Sequence, residues 1–240
     1  YKRQVYTQNL GYAVAEGCKN EYKPYIYLLG ASENAENTLP VHITSGRYPA
    51  SSDEILIPEH LSSNGGVKYN IGDVLTLDLG VRISEGYALN QSNPFSMNKE
   101  GEMTVVNEEL QVRETRTYTV CGFYERLPRV LENTSAPGYT AFTLADVPSD
   151  EYMYDVYFKT KSPGGVYDFI EKNSLDGAVN NDVLMCYGVT GFNSFNTVIL
   201  SLAVIVICLI MFGSVSLIYN AFAISLTERS RQLGMLAGVG

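Results

Sequence analysis

The residues of this chain best suited to acid–base or nucleophilic chemistry are few and scattered. His42 and His60 are its two histidines. They fall in separate predicted elements and read as ordinary surface or core histidines, not as a base and its orienting partner. Cys18, Cys121, Cys186 and Cys208 form no CxxC pair. Cys208 lies in an apolar run and reads as a small hydrophobe. The other three are an odd set for a disulfide framework, which leaves one bridge or, as the expected state, three buried thiols. Asn180-Asn181-Asp182 resembles part of a calcium loop without its glycine and bidentate acid, so a turn is expected. Asn90-Gln91-Ser92 and Asn133-Thr134-Ser135 match the glycosylation sequon, at about the frequency that chance supplies in so asparagine-rich a chain. The sequence holds no GxxxxGK[ST], GxSxG or HExxH pattern. No catalytic, cofactor-binding or metal-binding residue is therefore predicted, and the chain is not expected to be an enzyme.

The segment with the most specific spacing is near the C-terminal end. Glu228 and Arg231 stand three apart, and Glu228 and Gln232 four apart, so they share a helical face. Ala223, Leu226, Leu233 and Ala237 lie on another. An amphipathic helix results, with a polar face suited to a protein partner.

This segment follows directly on Val198 to Ile218, VILSLAVIVICLIMFGSVSLI, which has no charged residue. As an α-helix such a run covers the roughly 30 Å hydrocarbon core of a bilayer. Gly213, Ser214 and Ser216 lie within it at near-helical spacing and would allow close packing to another helix. Arg229 and Arg231 follow the run, whereas the nearest basic residue before it is Lys172. The positive-inside rule then puts the C-terminal end in the cytoplasm and the large preceding region outside. The start at Tyr1 and the stop at Gly240 read as cut ends of a longer membrane protein.

The region before the run is polar, tyrosine-rich and acidic, and it holds most of the net charge of −9. Its lysines and arginines form no stripe, which argues against nucleic acid as a partner. Short β-favouring runs are predicted at Tyr25–Leu29, Val41–Thr44, Glu54–Pro58, Val74–Leu79, Tyr118–Tyr124, Tyr139–Leu144 and Asp155–Lys159. Leu75, Leu77 and Leu79 are expected to face inward. Ser45–Pro49 is expected to be a turn, and Gly86–Glu102 an exposed loop or hairpin tip. A helix is predicted from Gln4 to Gly17, because Tyr6, Leu10 and Val14 share a helical face, and another from Val166 to about Asn173. The tyrosines suggest a sticky outer surface or sheet faces filled by rings, and are read as core and surface residues, not as a ligand groove. The fold class is an α+β extracytoplasmic domain of mixed, mainly antiparallel strands with a few helices. One transmembrane helix follows and continues into a cytoplasmic amphipathic helix. The boundaries are 1–192, possibly two lobes, for the outer domain, 193–222 for the membrane helix and 223–240 for the start of the cytoplasmic segment.

At Ser225, Glu228, Arg229, Arg231, Gly234, Leu236, Val239 and Gly240 the chain resembles the FtsX-like permease family of ABC transporters, the macrolide-exporter and lipoprotein-release type. In that family the second membrane helix runs into a segment of the form S-x-x-E-R-x-[RK]-x-x-G-x-L-x-x-[IVL]-G. Gly46-Arg47-Tyr48-Pro49, Asp53-Glu54-Ile55-Leu56-Ile57 and Ile71-Gly72-Asp73 follow the order of the family's extracytoplasmic core domain. The resemblance implies a non-catalytic permease subunit in the plasma membrane, multi-pass in full length. Ser225, Glu228, Arg229, Arg231, Gln232 and Gly234 would contact a separate ATP-binding subunit, which would carry the ATP and Mg. It also implies a second permease copy, packed through Gly213, Ser214 and Ser216, and movement of the outer domain for export or mechanotransmission. Peptides, lipoproteins and drugs all fit as cargo. The alternative reading is a membrane-tethered sensor or receptor ectodomain that binds a peptide or envelope component.

Overall fold

Strand β1, Gln4–Val14, is the first element of a large mixed sheet, and a helix was the expectation there. The computed structural model describes residues 4–99, 102–146, 152–191 and 193–238. Phe192, Val239 and Gly240, used in the boundary and the motif above, lie outside these. The spacing of Tyr6, Leu10 and Val14 misled because a β-bulge between Asn9 and Gly11 breaks the period-two pattern. Val14 is in fact 53% exposed, whereas Leu10, Tyr12 and Ala13 are buried.

The remaining strands of this sheet are β2 (Tyr25–Ala31), β3 (Ile43–Gly46), β4 (Glu54–Pro58), β5 (Val74–Ser84), β6 (Tyr87–Leu89), β9 (Glu109–Tyr124), β10 (Gly138–Leu144) and β11 (Tyr154–Phe158). Between β6 and β9 a separate hairpin pairs β7 (Ser96–Lys99) with β8 (Glu102–Val105). The part of 86–102 expected as loop is thus partly strand. Ser45 and Gly46, expected in a turn, close β3. The order is β11-β1-β2-β10-β4-β9-β5-β6, with β3 on β9. Most pairings are antiparallel, but β2 runs parallel to β10 and β4 parallel to β9.

Tyr12 of β1 also pairs with Gly80 of β5. That contact closes the path β1-β2-β10-β4-β9-β5 into a ring. Leu10, Ile26, Leu28, Ile55, Leu77, Leu79, Val120 and Tyr139 fill its interior. Leu75, Leu77 and Leu79 are buried as their alternation requires, between exposed Val74, Thr76 and Asp78. Leu29, Ala31, Leu56, Cys121 and Phe142 form a second cluster with Ala35, Leu39 and Val41. Strands β2, β4 and β10 contribute to both clusters, which is why they read as continuous apolar runs. Leu61 of the short helix α1 (His60–Ser63) joins the interior cluster.

Two compact units divide the chain, Tyr1–Lys161 and Ser162–Gly240. The second holds α2 (Val166–Lys172), α3 (Asn181–Cys186) and the long α4 (Asn193–Ala237). Helix α2 begins where Pro163 and the two glycines after it predicted. Asn180 is the N-cap of α3 and accepts from Val183 N at 3.3 Å, so the calcium-loop look-alike is a helix cap. No group of metal-binding side chains occurs among the described residues. All four cysteines are free. Cys121 is buried, but Cys18 is only partly buried and Cys186 is exposed, which corrects the expectation of three buried thiols.

Ring closure rests on close backbone approach. Gly11 has φ +113°, and a Cβ there would lie 2.5 Å from Gly80 O. Gly11→Ala is expected to lower stability by about 3 kcal/mol. Gly17→Ala, at φ +74° with nothing within 4 Å, should cost only about 1 kcal/mol. Urea unfolding of both variants checks the difference.

Candidate functional site

Helix α4 carries the residues singled out from sequence. It is 45 residues long without a break, which corresponds to about 67 Å. Its stretch Thr197–Ala237 is long and apolar enough to cross a membrane, with a mean hydropathy of 3.0 in its most apolar window. Leu209, Phe212 and Leu217 along it are exposed. Ser201, Ser214 and Thr227 donate to the carbonyls of Thr197, Ile210 and Ala223 at 2.7–2.8 Å, so their hydroxyls are satisfied within the helix. Gly213 and Ser216, three apart, share one face. A Cβ added at Gly213 or Gly234 would meet nothing within 4 Å. Ser225, Glu228, Arg229 and Gln232 follow the i, i+3, i+4, i+7 pattern and form one stripe. Glu228, Arg229 and Arg231 enter no ion pair among the described residues. The structure brings these residues onto one rod, whose polar groups past Thr227 are open.

Sequence reasoning missed two buried charge clusters in the first unit. Strand β10 meets β4 at only one register pair, Phe142 with Leu56. The Thr140 N–H and C=O therefore take side-chain partners. Glu132 Oε2 accepts from Thr140 N at 2.9 Å, and Tyr124 Oη donates to Thr140 O. The other oxygen of Glu132 accepts from Lys23 Nζ at 2.9 Å and from His60 Nε2 at 2.8 Å. Lys23 also donates to Ala136 O and stands over the Tyr139 ring. The Glu132 side chain is 0% exposed and that of Lys23 6%. Burial pushes the Glu132 carboxyl up, but the His60 hydrogen bond and the Lys23 charge outweigh it and hold it down at about 2. Burial pushes the Lys23 ammonium below its ordinary value, with Glu132 pulling the other way. His60 is thus part of an ion cluster and not the plain histidine expected.

The second cluster centres on Arg82. Its guanidinium is bidentate to Glu108, at 2.7 and 2.6 Å, and donates to the carbonyls of Asn90 and Asn93. Tyr12 and Tyr25 lie under it. Both charged side chains are fully buried. Gln91, beside this anchor, both donates to and accepts from the backbone of Gly138. This arrangement is structural: every strong donor of Arg82 is used, and it ties the segment after β6 to the ring. Opposite Leu79 and Gly80 the partner strand β9 carries an extra residue, Arg113, and beyond this bulge Arg82 is buried. Nothing in the alternation up to Leu79 signals that. Glu132, in a stretch without periodicity, carried no signal either.

Lys23 and His60 also line a cleft of about 450 Å³, together with Asn20, Tyr22, Asn64 and Arg126. Asn20 Nδ2 and Tyr139 Oη both donate to Asn64 Oδ1 at 2.6 Å, which ties the loop before β2 to the end of α1.

No protein-family model matches the chain, and no curated protein matches it. Among solved structures, it is similar to a domain assigned to a permease protein from Porphyromonas gingivalis, at 14% identity and a TM-score of 0.35. The match covers 73% of this chain and 65% of that one. The chain thus spans about two thirds of that neighbour's length.

The Glu132 cluster carries a pH signature. A carboxyl whose folded pKa lies below its unfolded value contributes stability that is complete above the unfolded value and lost as pH falls through the folded one. For Glu132 the window runs from 4.5 down to about 2. Stability should fall across it by a contribution of the order of 3 kcal/mol. In Glu132→Gln the starting stability should be lower and that slope shallower. Urea midpoints across the window decide it, and an unchanged slope would assign the acid sensitivity to other carboxylates.

Proposed function

We propose that this chain is part of a permease subunit of an ABC transporter. In this reading ATP hydrolysis by a separate subunit moves an extracytoplasmic domain, for export or for mechanical signalling. One observation carries it: α4 runs unbroken from Asn193 through the apolar stretch to Ala237, past Ser225, Glu228, Arg229, Arg231, Gln232 and Gly234. A rod of about 67 Å exceeds the roughly 30 Å hydrocarbon core by several turns. It is thus long enough to present a polar stripe beyond the bilayer while its other end lies on the far side. An α-helix resists bending where nothing interrupts its hydrogen-bond ladder, so displacement at the stripe is transmitted along its axis.

The stripe has the character of a docking site. Its charges enter no ion pair among the described residues, and Glu228 beside Arg229 offers both signs to a partner. Gly213 and Ser216 supply a small-residue face for a second copy of the permease. Arg229 and Arg231 at the trailing end favour a cytoplasmic location for the stripe and an extracytoplasmic one for the sheet unit. In this reading ATP and Mg belong to the partner, and this chain carries neither the hydrolytic site nor the cofactor.

Arg229→Glu reverses the charge at the centre of the stripe without touching the core. Reconstituted with its ATPase partner in proteoliposomes, the variant is expected to lose most of the transport or signalling output per ATP hydrolysed. The unfolding midpoint of the sheet unit should not change. Coupled turnover equal to that of the unmodified protein would overturn the role given to this stripe.

A further inference from the structure

The cleft beside the Glu132 cluster combines two features that no role in coupling explains. The first is an excess of positive charge. Lys23, His60 and Arg126 line it, and no aspartate or glutamate does. The one carboxylate beneath, Glu132, is fully engaged: one oxygen receives Lys23 and His60 and the other the Thr140 amide. Arg126 is exposed and forms no ion pair among the described residues. Its charge nonetheless reaches Lys23, since it helps to push that ammonium's pKa down after burial has done most of it. Arg126 is thus left without a counter-charge among the described residues, in a chain of net charge −9.

The second feature is the hydrogen-bonding character of the walls. Asn20 Oδ1 already accepts from Tyr22 N, and Asn64 Oδ1 accepts from Asn20 and Tyr139. The Asn64 acceptor is therefore fully used, that of Asn20 is half used, and the Asn64 Nδ2 hydrogens are left to donate. The Ser63 and Ser135 hydroxyls line the same space. His60 adds a buried ring nitrogen, Nδ1, without a hydrogen-bond partner. The Arg126 guanidinium and the Asn64 amide hydrogens give the cleft strong donors, which suits an acceptor-only ligand. The volume of about 450 Å³ falls in the range of small-ligand pockets.

We propose that this cleft binds a small anionic group, a carboxylate or a phosphate, with Arg126 as its charged contact and Asn64 and Ser63 as neutral donors. The Lys23 and Arg126 charges disfavour a cation there. The Lys23–Glu132–His60 cluster serves as a rigid floor, because Lys23 and His60 are fixed by Glu132 and cannot swing away. The site belongs to the sheet unit alone and does not depend on the membrane or on an ATPase partner.

The full chain, purified in detergent micelles, is titrated with sodium acetate and separately with sodium phosphate at constant ionic strength, followed by calorimetry. Saturable binding of at least one anion is expected, and the tighter arm identifies carboxylate or phosphate as the natural chemistry. Arg126→Ala should weaken it by about tenfold, the loss expected for one charge-assisted contact. Arg126→Lys should fall between the two. Because the side chain is exposed, the thermal midpoint should stay put in both variants, so weak binding cannot be blamed on misfolding. Arg129→Ala, which removes an exposed cation outside the lining, should bind as the unmodified chain does. Absence of saturable heat with both anions overturns the proposal. So does equal affinity in Arg126→Ala, or equal weakening in Arg129→Ala.

Discussion

The close meeting of two glycines, Gly11 and Gly80, is the constraint on which the sheet unit depends. Side chains at this seam would hold β1 and β5 apart, and the ring of six strands would open into a twisted sheet with its interior face wet. Closure also explains the bulges. β1 carries one at Leu10, and β9 carries one at Arg113 opposite Gly80 of β5, where the sheet must turn sharply to bring its two ends together. The interior cluster of Leu10, Leu28, Leu77, Leu79 and Val120 is then the product of the seam and not merely of apolar content.

Where the ladder is incomplete, charge takes over. β10 touches β4 at a single register pair, and the backbone of Thr140 would otherwise be left with unmet groups in a dry environment. Glu132 and Tyr124 supply what a strand would have supplied. A buried carboxylate needs a counter-charge and donors, so Lys23 and His60 follow from Glu132, and they tie the loop before β2 and helix α1 to the same point. Arg82 does the same for the segment after β6. These clusters cost desolvation and return position more than stability.

Much of the architecture was legible before any coordinates. The strands from Tyr25, Glu54, Val74, Tyr118, Tyr139 and Asp155 follow from apolar runs and turn residues, because in each the local pattern and the tertiary environment agree. The helical span from Val198 is still plainer, since no other secondary structure satisfies twenty-odd apolar residues. β1 was misread for a tertiary reason: a bulge gives a strand the spacing of a helix over a few residues. The Glu132 cluster was invisible for a different one. Its members lie at positions 23, 60 and 132, in loops and a single-turn helix, and only the missing ladder rungs beside Thr140 bring them together. Tail residues such as Glu228 and Arg229 could be placed on a helix from spacing alone, because a continuous helix needs no tertiary contact to set which residues share a face.

Between Val183 and Thr227 the chain holds no ionisable Asp, Glu, Lys or Arg side chain. Within α4 the charge-free part runs from Asn193 to Thr227, about 52 Å of rod against a hydrocarbon slab of roughly 30 Å. The surplus has a mechanical meaning. Such a helix can slide along the bilayer normal, piston-like, by roughly 20 Å before a charge would enter lipid. Hydroxyls that bond back to their own turn add no polar drag. Over that range the bilayer itself sets no barrier to axial movement of such a helix.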